Sequence, residues 1–236
     1  MLNPNRKFIL YPHASWFFAL GMVVTWIGFS KSYFSKLPQT DIYHHLHGAT
    51  AGAWFLILII QPLLYKRNQL EWHRRLGKTA VYILMPLLLL GGIKMTYMEL
   101  NNQDNYPLGA AYIFSFLDFW SLILFPVFVW LSLKNVKKIH LHARYMACTV
   151  LLLLPPAITR ALFFIPWFDS LSKALNGSFF IVEAILIFLF VDDYRTGGIR
   201  RPYMLALAFF VFLHITLNLV SGWAWWKYLM DGFARW

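Results

Sequence analysis

The sequence predicts an all-α membrane protein, a polytopic bundle of seven transmembrane helices forming one domain over residues 1–236. Three observations predict it. Hydrophobic residues make up 59% of the chain and charged residues only 13%, against about 25% charged in an average soluble domain. Seven apolar runs approach or exceed the roughly 20 residues that a helix needs to cross a bilayer. The basic residues fall almost entirely in every second loop between those runs.

The first run, 12–30, has no small-residue cleavage site near Ser30 and reads as an uncleaved span. The second, 42–65, opens on "YHHLHGATAGAW", with His44, His45 and His47 at its start. Gly48 and Gly52, like Ala49 and Ala53, are four apart, a spacing of small residues that lets helices approach closely. The third run, 78–98, follows "EWHRRLGK" and contains Lys94. The fourth, 108–133, carries Ser115 and Asp118 one turn apart. In the fifth, 144–166, Pro155 and Pro156 remove two backbone donors ahead of Arg160. The sixth, 174–191, is the shortest and holds Glu183; its opening "LSKALNGSFF" fits either a loop or a first helical turn. The seventh, 203–226, places His214, Asn218 and Ser221 on one face and ends in a tryptophan-rich tail.

Orientation follows from charge. Arg6, Lys7, Lys66, Arg67, Arg74, Arg75, Lys78, Lys134, Lys137, Lys138, Arg144, Arg195, Arg200 and Arg201 all fall on one side. The other side has only Lys31, Lys36, Lys173, Lys227 and Arg235, with Lys94 near it. The positive-inside bias puts the amino terminus in the cytoplasm and the carboxyl terminus outside, with Trp223, Trp225 and Trp226 as an outer interfacial belt. A bacterial cytoplasmic membrane is the expected location. The net charge of +11 is spread over these short loops, so nucleic acid is not the expected partner; the lipid bilayer is. The lone cysteine, Cys148, excludes a disulfide framework and a cysteine-rich metal site. Lys227 lies at the end of the last run, where a retinal Schiff base is not expected.

Counting about 1.5 Å per residue from the basic end places His47 roughly 27 Å deep, Asp118, Lys94 and Asn218 about 24 Å, Arg160 about 22 Å and His214 about 18 Å. Such groups are costly in hydrocarbon unless paired or hydrated. The expectation is therefore one shared polar pocket in the outer half, built from Asp118, Arg160, Glu183, His214, Asn218, Lys94 and His47, with Trp54 on the same face as His47. A second histidine group, His73, His140 and His142, marks the basic edge.

The segments "HLHGATAGAW", Gln61 ahead of a basic loop, "HRRLG", "HLHARYM" and "AITR" give the chain a resemblance to an uncharacterised bacterial family of integral membrane proteins, a domain of unknown function. The match covers about residues 40–165, and "HARYM" departs from the family's pattern by an alanine between histidine and arginine. The resemblance implies a seven-span bundle and draws attention to His47, His73, His142 and Arg160, without implying an activity.

Several functions fit these residues. Histidine can ligate b-type haem or another redox group in a bundle core, with His47 and His214 as an outer site and His73 and His142 as an inner one, for membrane electron transfer. Alternatively His44, His47, Asp118, Glu183 and His214 would hold zinc in an intramembrane hydrolase. A third reading is a transporter, or a quinone or lipid site with a redox partner. The last is an assembly subunit without cofactor, its buried charges simply paired.

Overall fold

In the computed structural model, residues 13–197 and 200–235 are described. Arg6, Lys7 and the first residue of the 12–30 run lie outside them. Every regular element among the described residues is helical. The long helices are α1 (Ala14–Phe29), α2 (Ile42–Lys66), α3 (Leu70–Asn101), α4 (Ala110–Lys134), α5 (Ile139–Leu162), α6 (Leu171–Gly197) and α7 (Arg201–Leu217), followed by the short α8 (Ala224–Ala234). Five of them, α2 to α6, are long and apolar enough to cross a membrane; α1 and α7 are shorter apolar helices of 16 and 17 residues.

The helix ends differ from the apolar runs for local reasons. Helix α3 starts eight residues before its run, because "LEWHRRLG" is helical although polar; hydropathy sees only its apolar continuation. Within α3 the Met85 N–H reaches back five residues to the Ala80 carbonyl, a π turn over Ala80–Leu84. It lies immediately ahead of Pro86, which cannot donate to the helical ladder. Helix α5 runs through Pro155 and Pro156 and stops at Leu162, four residues before Pro166. The segment "LSKALNGSFF" is the start of α6, not a loop. The seventh run is broken: α7 ends at Leu217, a short 3-10 turn spans Val220–Gly222, and α8 begins at Ala224. Asn218, Ser221 and Gly222, all weak helix formers, sit at the break.

Helix α5 is the axis. α1, α4 and α6 pack along it, and α2 and α7 also touch it. Glycine allows the closest of these approaches. A Cβ at Gly28 of α1 would lie 2.1 Å from the Ala157 carbonyl oxygen of α5. Trp54 of α2 is fully buried, and its indole N–H donates to Thr149 Oγ1 of α5 at 3.0 Å. Outward, α1 exposes Trp16, Phe17, Leu20 and Trp26, the surface expected of a bundle whose solvent is lipid.

At the basic end, Asp193 of α6 is 0% exposed and receives two arginines. Arg144 Nε bonds Oδ1 at 2.9 Å and Oδ2 at 2.8 Å, its Nη2 also bonds Oδ1, and Arg200 Nη1 reaches Oδ1 at 2.9 Å. At the far end α8 folds back over α3 and α4. Trp226 is buried there, donating to the Tyr112 carbonyl at 2.9 Å, and Tyr112 Oη donates to Asp231 at 2.8 Å. The expected tryptophan belt is thus divided: Trp226 faces protein, and Trp225 remains 58% exposed.

Candidate functional site

Four helix ends meet at the basic side: the last turns of α2 and α4 and the first turns of α3 and α5. They bring His73 and His142 together, with ring centroids 6.4 Å apart and planes at 65°. Each ring is held through Nδ1. On His142, Nδ1 lies 2.7 Å from Ser132 Oγ and 3.1 Å from the Ser132 carbonyl. The Ser132 hydroxyl donates to the His142 carbonyl at 3.0 Å, so its proton is engaged and Nδ1 is the donor. On His73, Nδ1 lies 3.4 Å from the Gln61 carbonyl, which can only accept, and Gln61 Nε2 donates back to the His73 carbonyl at 3.1 Å. Both imidazoles therefore carry their hydrogen on Nδ1 and keep the Nε2 lone pair. A carbonyl on the other ring nitrogen is the usual support of a metal-ligating histidine, fixing its tautomer and raising its basicity.

A second cluster lies toward the far end, between α3, α4 and α5. Glu99, Asp118 and Arg160 interact electrostatically with one another. Asp118 accepts a bond from Thr96 Oγ1 at 3.0 Å. Glu99 Oε2 is buried with no hydrogen-bond partner. Among the described residues no carboxylate comes within 4.0 Å of Arg160; its guanidinium lies 4.6 Å over the Phe29 ring and donates to the Pro156 carbonyl at 3.0 Å. In the adjoining loop, burial and then Glu99 push the Tyr106 phenol above its ordinary value.

The third polar group is separate. Glu183 and Asn176 of α6 meet His214 of α7: His214 Nδ1 is 2.9 Å from Glu183 Oε1, and Nε2 is 3.1 Å from Asn176 Oδ1. Asn218 donates to the same Asn176 oxygen at 2.9 Å. The single outer pocket expected from depth is thus two clusters. Asp118 and Arg160 face the space between α3, α4 and α5, whereas Glu183, His214 and Asn218 share the α6–α7 seam. Equal depth did not mean a common face.

The remaining expected residues lie elsewhere. His47 packs against α3, where a Cβ at Gly91 would lie 2.9 Å from its Nδ1, and it is not brought to His214. His44 is 2.5 Å from Asp41, the N-cap of α2, and His45 bonds Tyr33 at 2.7 Å. Lys94 sits between the rings of Tyr43 and Tyr97, 4.7 and 4.6 Å from their centroids. Trp54 is core, as described above. Among the described residues no three of His, Cys, Asp and Glu group closely enough to hold a metal ion; the set His44, His47, Asp118, Glu183 and His214 is spread over four helices.

Sequence reasoning missed Glu99 and Asp193. Each stands near the end of a helical run in a chain with only 10 acidic residues, and that scarcity was the available signal. The fold and its sites define a helical, membrane-type bundle with paired rather than clustered metal-ligand side chains. Compared with protein-family models, with curated proteins and with solved structures, the chain matches none.

Proposed function

We propose that this protein is a seven-span haem b protein of the bacterial cytoplasmic membrane, with its amino terminus inside, and that His73 and His142 would hold the haem. The observation that carries the reading is the histidine pair. The two ring centroids lie 6.4 Å apart, and both rings would offer Nε2 to a haem iron. Haem iron takes four ligands from its porphyrin and asks two of the protein, which suits a chain whose candidate ligands come in pairs. A tetrahedral zinc site asks three or four, so the hydrolase reading has less support. When bound, the haem would supply one-electron chemistry. The chain's own part is to hold two Nε2 lone pairs in place through the Gln61 and Ser132 carbonyls, beside the basic loops that can neutralise propionates.

The test is spectroscopic. Protein made in cells supplied with a haem precursor and purified in detergent is expected to show a Soret band that shifts on dithionite reduction. His73→Ala and His142→Ala should each lose it, while His47→Ala and His214→Ala keep it. A colourless wild type, or a full Soret band in the His73→Ala/His142→Ala double variant, would overturn the assignment.

A further inference from the structure

We infer that the seam between α6 and α7 binds the ring of a lipid-phase quinone or quinol. The seam is an open groove of about 290 Å³ lined by Phe180, Glu183, Val211, His214, Ile215 and Asn218. Its rim belongs to the surface that faces lipid in the bundle: Phe180 is 64% and Ile215 62% exposed. Its floor is polar and held from beneath.

The floor's hydrogens can be assigned. Asn176 Nδ2 donates to the Ser172 carbonyl at 2.8 Å, which fixes the amide and turns Oδ1 toward His214. His214 Nε2 therefore carries a hydrogen. Its Nδ1 faces a carboxylate oxygen, and one proton lies between them, on the ring or on Glu183. The pair is net neutral in either arrangement. The groove thus presents a hydrogen-bonded polar floor that carries no net charge.

Depth selects among lipid-phase ligands. Glu183 is the thirteenth of the 27 residues of α6, the middle of the helix, about 18 Å along it from Leu171. A phospholipid phosphate sits at the edge of a hydrocarbon core about 30 Å thick, roughly 15 Å away, and an anion has no cationic floor here to attract it. A molecule with its polar atoms at mid-bilayer must be neutral, apolar elsewhere and able to hydrogen-bond. Quinone carbonyls and quinol hydroxyls meet those conditions. The Phe180 ring, its centroid 4.5 Å from that of His214 and its plane nearly perpendicular to it, gives the groove an aromatic side against which a quinone ring can pack. The groove lies just under the range of about 300–1,000 Å³ of drug-sized pockets, room for a ring with its tail left in the lipid.

The inference does not depend on haem at the basic end, and the experiment separates the two. Protein in phosphatidylcholine nanodiscs is photolabelled with an azido-benzoquinone and mapped by mass spectrometry. Labelling is expected within residues 176–183 and 211–218, abolished by excess decylubiquinone and unchanged by excess phosphatidylglycerol. Val211→Trp, which fills the groove from a partly exposed position, should lower labelling at least tenfold while leaving the elution profile and any Soret band intact. His214→Phe should lower it similarly, and the His73→Ala/His142→Ala variant should retain it. Labelling spread over all the lipid-facing helices, protection by phosphatidylglycerol, or full labelling of Val211→Trp would overturn the site.

Discussion

Removing the Asp193 carboxylate takes from two buried guanidinium groups the anion that they share. The side chains of Arg144, Asp193 and Arg200 are 5%, 1% and 9% exposed, so water cannot replace what is lost. Asp193 holds Arg144 through both oxygens and Arg200 through one. Breaking a buried pair by deleting one partner costs about 3–5 kcal/mol, chiefly for the uncompensated charge left behind. At about 2–4 °C per kcal/mol for a chain of this size, Asp193→Ala should lower Tm by roughly 6–20 °C. Arg200→Ala should cost much less, because Asp193 keeps its two-oxygen contact with Arg144. The assay is thermal unfolding in detergent, followed by tryptophan fluorescence and by the fraction eluting as a symmetric peak. If Asp193→Ala and Arg200→Ala melt together, Asp193 does not neutralise two buried cations and the reasoning fails.

The other predictions concern packing and charge. Gly28→Val should separate α1 from α5, since even a Cβ there stands 2.1 Å from the Ala157 oxygen; a loss of about 1–3 kcal/mol or more is expected from overpacking, and a wild-type Tm would contradict the close approach. Trp54→Phe removes the bond to Thr149, whose hydroxyl keeps its own bond to the Met146 carbonyl, and should cost about 0.5–1.5 kcal/mol, the net worth of one hydrogen bond; it too is read by Tm. Glu99→Gln replaces a buried carboxyl whose Oε2 has no hydrogen-bond partner among the described residues with a group that cannot ionise, so its Tm should equal or exceed that of the wild type. Arg160→Met, which takes the cation from beside Glu99 and Asp118, should lower folded yield. The opposite order for these two variants would mean that the acidic pair is not held in check by Arg160.

How much of this was legible in the chain depends on the physical scale involved. Hydropathy locates segments because each must lose its polar surface along its whole length, and the long helices follow the apolar runs in order. It misplaces ends, since the polar start of α3 and the break after Leu217 are decided by backbone propensity and not by transfer from water. Loop basicity placed His73 and His142 at one edge, and their meeting was an expectation from residue type. What no single-sequence pattern contains is azimuth. Asp118 and His214 share a depth range but face different seams, because rotation about a helix axis is set by its neighbours: Gly28 against Ala157, Trp54 against Thr149.

That distinction bears on how the sites divide the molecule. A charge inside hydrocarbon must be compensated nearby, and each cluster brings opposite charges or a proton-sharing pair together: Asp193 with Arg144 and Arg200, Glu183 with His214, and Asp118 and Glu99 with Arg160. The histidine pair differs, because its Nδ1 atoms are satisfied by carbonyls and its Nε2 atoms need no charge partner. Neutral imidazoles are inexpensive to hold at a membrane edge, and nothing in stability alone requires two of them from separate helices to meet with matching carbonyl supports. Support of both rings through Nδ1 leaves both Nε2 atoms for the ligand role proposed above. It is why the functional reading rests on His73 and His142 and not on the more deeply placed carboxylates.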